Sequence, residues 1–420
     1  MLLLCVNQIN HHKMRLYISL FVFLFMGISG LKSQTIKFGD STIVSLITCE
    51  PGEALYAKFG HTAIRIRDTK GLDLVYNYGI FDFKTEKFYW KFLRGHTDYL
   101  LGVYPTEHFL QEYSERNSGV WEQELNMTAI ERRRLIELLN INYLPENRMY
   151  RYNFVYDNCA TRPYDIISTA FNGVIVPGSE QAEVTFREMI VAYLTNNPWA
   201  EFGINLIFGM DADRKVRKQT SVFLPEYLRT SLQNSKLISL SEGLGEKKVV
   251  NRINILVQPK PADEKNPVWF FHPFTISLIW LIIGVILIFT QKNLDNIQHK
   301  IFDFILYLST GLGGLLIFFF MFFSEHPLVG KSINILWLSP INIILAVLIW
   351  KRSPRKFFFF YNIIYLFLML LYILVTIFLT NSIIIAFIPL QMLLFLRILW
   401  REERLLHILF IPTDKGIRWR

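Results

Sequence analysis

Tyr156-Asp157-Asn158-Cys159-Ala160-Thr161-Arg162 is the stretch on which the reading of the first half of the chain turns. Just before it, residues 150–156 alternate in the manner of a strand. Just after it, residues from about 161 to 171 have helical spacing, with Pro163 tolerable only in a first turn. The sequence therefore predicts a thiol at a strand-to-helix junction. A helix start presents orphan N–H donors and the positive end of the dipole, and both favour a thiolate. An unperturbed thiol, with a pKa of about 8.5, is only a few per cent ionised at neutral pH. The position predicts a larger nucleophile population.

Working outward, residues 42–48 are rich in β-branched side chains and read as a strand, followed by a turn at Glu50-Pro51-Gly52-Glu53. His61-Thr62-Ala63-Ile64-Arg65-Ile66-Arg67 and Leu74-Val75-Tyr76-Asn77-Tyr78-Gly79-Ile80 read as neighbouring strands joined by a polar turn at 68–73. Residues 128–140 read as a helix. Thr128 with Glu131 makes a capping box, and Ile130, Leu135, Leu138 and Leu139 make a stripe. The mixture predicts an α+β domain.

A nucleophilic thiol needs a base. Of nine histidines, His61, His96 and His108 fall in this region. His61 opens a strand, which aims a side chain rigidly enough to keep hydrogen-bond distance to sulfur. His96 reads as a loop residue, and His108 as a packed or surface residue on an amphipathic stretch. A third group would orient the imidazole. Asn77, on the adjacent strand, is the first choice and Asp82 the alternative. Cys49 lies inside a hydrophobic strand, where a buried thiol is ordinary. A Cys49–Cys159 disulfide is the competing reading for an exported protein. Asp211 and Asp213 read as a surface loop. No HExxH or CxxC motif exists, and neither a metal nor another cofactor is expected.

The chain of 420 residues carries a net charge of +9, yet residues 1–33 hold +3 of it, residues 268–420 hold +7, and the middle is left at −1. Without a basic face, the middle is a poor candidate for nucleic-acid binding, and no such partner is expected. The N-terminus has Lys13 and Arg15 ahead of an apolar run to Ile28, then small residues near Gly30 and Ser33. That is the order of an export signal, assigned to 1–33, with Met14 as a possible start and an uncleaved anchor as the alternative.

The 52% hydrophobic content has its other source at the C-terminus. Five apolar segments, at 268–290, 301–323, 333–350, 357–379 and 383–396, are mostly near the ~20 residues that cross a bilayer. The fifth holds Pro389 and Gln391, and Arg397 is placed to snorkel at its end. With the middle domain outside, eleven Lys and Arg fall in inward loops and tail, against Lys331 alone in the outward loops. The expected organisation is a signal at 1–33, an exported thiol-enzyme domain at 34–257, a linker at 258–267, a five-helix transmembrane domain at 268–400 and a cytoplasmic tail at 401–420. That places the protein in a bacterial inner membrane, multi-pass, with its catalytic domain in the periplasm.

Phe59-Gly60-His61-Thr62-Ala63-Ile64-Arg65-Ile66-Arg67-Asp68, Val75-Tyr76-Asn77-Tyr78-Gly79 and residues 153–166, NFVYDNCATRPYDI, resemble the periplasmic domain of the Lnb family, the Bacteroides-type lipoprotein N-acyltransferases. Asn197-Pro198-Trp199, Phe223-Leu224-Pro225 and Ser324-Glu325-His326-Pro327 before Asn334 extend the likeness into the apolar part. The order of His61, then Asn158-Cys159 at a helix start, is similar to a circularly permuted papain-like (NlpC/P60-like) fold, the layout of lecithin:retinol acyltransferase. The resemblance implies Cys159 as nucleophile and His61 as base. Relatives put a second polar residue where Asp73 stands, in turn-like surroundings, so Asn77 takes the third role here. Asn158, Arg162 and His326 are the expected substrate-binding residues. The implied reaction is ping-pong. An acyl chain passes from a phospholipid donor through a thioester to the α-amine of a diacylglyceryl lipoprotein acceptor, and the oxyanion is held by N–H groups at the helix start. The competing readings are a periplasmic NlpC/P60-like peptidase or amidase on cell-wall peptides, and a non-enzymatic membrane sensor.

Overall fold

A computed structural model describes residues 38–39, 41–81, 84–178, 184–217, 221–239, 245–259, 269–290, 296–351, 355–380, 384–413 and 416–419. The export signal, Asp82 and residues 260–267 of the linker lie outside the described residues.

The N-terminal part is built on one seven-stranded sheet. Its strands are β1 (Ile43–Cys49), β2 (His61–Arg67), β3 (Asp73–Ile80), β4 (Asp98–Pro105), β5 (Val120–Leu125), β6 (Met149–Arg151) and β10 (Val250–Val257). They lie in the order β10-β5-β1-β2-β3-β4-β6, every neighbour antiparallel. The short strands β7 (Gly173–Val176), β8 (Lys236–Ser239) and β9 (Glu246–Lys248) form a separate small sheet.

Successive side chains on a strand point to opposite faces, so each buried strand feeds two cores. Val44, Leu46, Ile64, Ile66, Tyr76 and Tyr78 pack on one face against helices α3 (Ala129–Tyr143), α4 (Thr161–Ala170) and α7 (Pro225–Asn234). Ile47, Cys49, Ala63 and Val75 pack on the other against Phe109 and Tyr113 of α2 (Thr106–Glu115). Each fully buried aliphatic side chain contributes about 2 kcal/mol. Burial on both faces is why β1 reads as a nearly continuous apolar run.

Local signals were realised unevenly. The Thr128–Glu131 capping box forms in both directions, at 3.3 and 2.7 Å. Leu135 and Leu139 of its stripe are buried, whereas Ile130 points to solvent. The strand expected at 150–156 stops at Arg151, because Asn153 Oδ1 accepts from the N–H groups of Val155 and Tyr156 and turns the chain. Asp213 is not a surface residue. Arg187 donates to both its carboxylate oxygens, at 2.7 and 3.1 Å, and the pair is buried.

Among the described residues, three helices are long and apolar enough to cross a membrane: Pro273–Thr290 (α8), Ile297–Phe323 (α9) and Phe357–Phe378, the last within α11 (Arg355–Val375) and the π-turn that continues it. Two of the five expected segments are not among these three. The segment at 333–350 runs beside α9 but is broken into a 3₁₀ turn, Ile333–Leu336, and a short helix α10, Asn342–Leu348. Pro340 at its centre has no N–H to give a helix. The last helix, α12, spans Ile388–Leu409, passes the expected boundary at 400 and carries charge. Arg397 does not snorkel. It is fully buried and donates to Asp303 Oδ1 at 2.9 and 2.6 Å, because a guanidinium among apolar helices needs a counter-charge.

The two parts are joined through backbone groups. Helix α6 (Pro198–Ile207) ends under Asn334, whose amide donates to the carbonyls of Asn205 and Leu206 at 3.1 and 2.9 Å. Gly209 N–H donates to Leu328 O at 2.7 Å. A Cβ at Gly209 would lie 1.6 Å from the Gly330 carbonyl oxygen, so only glycine allows this approach.

Candidate active site

His61 is the first residue of β2 and pairs with Cys49, the last of β1. It shares its sheet face with Ala63 on β2 and with Val75, Asn77 and Gly79 on β3. Cys159 comes from the turn that leads into α4, which packs against the opposite face. The turn is held to β2 by a hydrogen bond from Thr62 Oγ1 to the Cys159 carbonyl. Gly79 lets the two groups meet. Its φ is +114°, and a Cβ there would sit 3.2 Å from His61 Cε1 and 3.6 Å from Cys159 Cβ.

His61 Nε2 lies 2.6 Å from Asn77 Oδ1, and Asn77 Nδ2 donates to the Tyr104 hydroxyl at 2.6 Å. With the Asn77 amide turned this way, Nε2 carries the proton and Nδ1 is left for sulfur. The His61 and Cys159 side chains are close neighbours, and each shifts the titration of the other. Burial alone would raise the Cys159 thiol, but the charge and hydrogen bond of His61 outweigh it and hold the thiol below its ordinary value. Burial alone would lower His61, but the thiolate and Asn77 hold it above its ordinary value. The arrangement can present a thiolate beside an imidazolium, a nucleophile with its proton donor.

Cys49 is different in kind. It is free, as is Cys159, so the competing disulfide is absent. Burial pushes its thiol well up. Asp73 is also remote from the chemistry. It pairs with Arg67 at the far end of β2 and β3, and Arg65 holds its carboxylate at 2.8 and 2.5 Å.

The thiol opens into a cavity of about 430 Å³. Its lining includes the aromatic side chains Tyr56, Phe81, Tyr99, Tyr152 and Phe154 and the charged side chains Glu50, Glu112 and Arg116. Phe223, Leu224 and Pro225 also line it. Among the described residues, no cluster of three His, Cys, Asp or Glu could hold a metal ion.

The three residues expected to bind substrate are placed otherwise. Asn158 borders the cavity, but its side chain serves the backbone. Its Nδ2 donates to the carbonyls of Phe154 and Phe223 at 2.6 and 2.9 Å, and its Oδ1 accepts from the N–H groups of Ala160 and Thr161 at 2.7 and 2.9 Å. Those two N–H groups, expected at the oxyanion, are thereby engaged, which leaves the N–H of Cys159. Arg162 is gripped by both carboxylate oxygens of Asp157 and lies 3.8 Å over the Tyr150 ring. His326 donates from Nε2 to Phe92 O at 2.6 Å. Neither Arg162 nor His326 is among the described residues that line the cavity.

Residues 33–196 match the Lnb N-terminal periplasmic domain, and residues 264–402 match the Lnb transmembrane domain. The chain belongs to the Lnb family. The two matches together take in most of the chain, in the order that the hydropathy pattern requires. No curated protein and no solved structure matches it. In this Lnb chain the periplasmic match contains His61, Asn77 and Cys159, and stops short of Phe223, Leu224 and Pro225, which close the cavity. Reading the sequence locally missed Tyr104 and Glu112 at the site. Tyr104 stands opposite Val75 in β4, and nothing in the residues around it points 27 positions back to Asn77.

Proposed function

We propose that the protein is a membrane-bound thiol acyltransferase. It moves an acyl chain from a phospholipid, through a thioester on Cys159, to the N-terminal amine of a bacterial lipoprotein. The observation that carries this reading is the Cys159–His61–Asn77 row, opening on a cavity rich in aromatic side chains in a domain fastened to helices long enough to cross a membrane. The order of the residues and the helix start at Cys159 support a permuted papain-like layout. The asymmetry of basic loops supports a multi-pass inner-membrane protein with the C-terminus in the cytoplasm.

In the first half-reaction the Cys159 thiolate attacks the ester carbonyl carbon. Charge collects on the carbonyl oxygen, where the N–H of Cys159, the one helix-start donor that Asn158 does not engage, stabilises it. The C–O bond breaks, and the lyso-phospholipid alkoxide takes the proton from His61. In the second, the α-amine of the lipoprotein attacks the thioester carbonyl. His61 accepts the amine proton, the C–S bond breaks, and the thiolate–imidazolium pair is restored. Asn77 keeps the His61 ring in one orientation through both. Both substrates live in a bilayer, so anchoring the thiol there raises their effective concentration. No cofactor takes part in this sequence.

The test is to incubate the full-length protein in lipid nanodiscs with phospholipid labelled in its acyl chains. Hydroxylamine-labile label on the Cys159 peptide, transferred onward to a diacylglyceryl peptide, is the expected result. Cleavage of a cell-wall peptide without any acyl-enzyme would establish the peptidase reading instead. A ligand-binding protein indifferent to Cys159→Ala would establish the sensor.

A further inference from the structure

We infer that the short helix α1 (Phe88–Leu93) is the route by which a phospholipid of the outer leaflet leaves the bilayer and reaches Cys159. This rests on the acyltransferase reading and adds the surface that admits the donor.

The composition of α1 is interfacial. Between Lys84 and Arg94 the chain holds Lys87 and Lys91 as further cations, one acid, Glu86, and the apolar run Phe88, Tyr89, Trp90, Phe92 and Leu93. Basic residues interleaved with large aromatics suit the boundary between headgroups and acyl chains. Only Phe88 is buried. Tyr89 is 75% exposed, Trp90 52% and Phe92 45%, a strongly apolar surface for so short an element.

Its position says what covers that surface. Helix α9 has 27 residues, a length of roughly 40 Å, against a hydrocarbon core of about 30 Å, so its end reaches the headgroup layer. Helix α1 is fastened to that end. The Trp90 ring is 5.5 Å from Phe319. Ser324 Oγ donates to Leu93 O at 2.8 Å, and Glu325 N–H donates to Arg94 O at 2.9 Å. Phe318, Phe322 and Phe323 on the same turns of α9 are exposed, facing where acyl chains lie. The bare rings of α1 and α9 thus form one continuous surface, and lipid covers both.

From α1 an aromatic row leads inward. Phe88 stacks on Phe81 with ring centres 6.0 Å apart, and Phe81 stacks on Tyr99 at 4.9 Å. Phe81 and Tyr99 both line the Cys159 cavity. An acyl chain following this row keeps apolar contact from the bilayer to the thiol, so the cost of exposing its methylenes to water, about 0.8 kcal/mol each, is avoided. The cations of the same stretch, Lys84, Lys87, Lys91 and Arg94, suit an anionic headgroup by charge.

The experiment uses the full-length protein in nanodiscs of phosphatidylethanolamine and phosphatidylglycerol. Acyl-enzyme formation is measured for wild type and for the triple variant Y89S/W90S/F92S, with two donors: labelled phospholipid in the bilayer and the soluble ester p-nitrophenyl butyrate. A photo-crosslinking amino acid at position 89 supplies a readout that needs no activity. The variant is expected to lose roughly tenfold or more in kcat/KM for the bilayer donor, mainly through KM, and to keep its rate on the soluble ester. The crosslinker at 89 is expected to capture phospholipid. Equal losses on both donors, no loss on the bilayer donor, or no lipid captured at 89 would each overturn the route while leaving the acyltransferase reading intact. A wild type that forms no acyl-enzyme from phospholipid overturns that reading, and the route with it.

Discussion

Asn77 Oδ1 stands 2.6 Å from His61 Nε2, and the same side chain donates to Tyr104 at 2.6 Å, so three strands of one sheet determine which nitrogen of His61 faces the thiol. Losing Asn77 frees the ring to rotate and to exchange tautomers. Asn77→Ala is expected to lower the rate of acyl-enzyme formation by about 10²-fold in a folded protein. Tyr104→Phe removes one hydrogen bond behind Asn77 and is expected to cost about fivefold. Single-turnover labelling beside circular dichroism measures both, and equal losses in the two variants would contradict this order of action.

The two exported cysteines are expected to part company on substitution. Cys159→Ser should remove the acyl-enzyme and lower turnover by about 10⁴-fold. Cys49→Ala should retain activity and lose about 1 kcal/mol of stability through reduced packing in its core. Peptide mapping after alkylation of the native protein should find Cys159 labelled and Cys49 protected.

The pH dependence follows from the direction of the two shifts. The Cys159 pKa is depressed, so its thiolate survives as pH falls below the ordinary thiol range; the His61 pKa is raised, so its proton stays on as pH rises above the ordinary imidazole range. Alkylation by iodoacetamide is therefore expected to titrate with a midpoint below about 8.5. His61→Ala removes the counter-charge and leaves burial as the dominant influence, which moves the midpoint above about 8.5. A wild-type midpoint at or above that of the variant would refute the ion pair.

Gly79 is expected to be intolerant for two separable reasons. Gly79→Ala meets a φ of +114° and drives a methyl to 3.2 Å from His61 Cε1. Gly71→Ala is the control, since its φ is +90° but nothing lies within 4 Å of the added Cβ. Both should lower the melting temperature. Only Gly79→Ala should slow acyl-enzyme formation, by about 10²-fold, because it displaces the base from the thiol.

What was legible in the sequence was local. The strand that opens at His61, the helix beginning at Thr161 and the Thr128–Glu131 cap depend on residues within a few positions of one another, and period and capping record such relationships directly. The helical break at 333–350 had a local cause too, but its many apolar residues hid Pro340 from a hydropathy count. The buried Arg187–Asp213 pair was not legible, since nothing around Asp213 announces a guanidinium 26 positions earlier. Nor was the use of Asn158, whose two donors go to carbonyls four and 65 positions away.

The sequence by itself determined that a near-neutral domain with a thiol at a helix start is joined to apolar segments flanked by basic loops. Composition, charge and hydropathy are properties of the chain, and no contact is needed to read them. Only the tertiary structure decided that Thr62 grips the Cys159 carbonyl across 97 positions, that Asn77 stands behind His61, and that Asn158 holds the turn together. Those relationships arise where strand register and the packing of α4 on the sheet bring distant residues within hydrogen-bond reach. Distances of that kind are set by the whole core and are written in no single stretch of the chain.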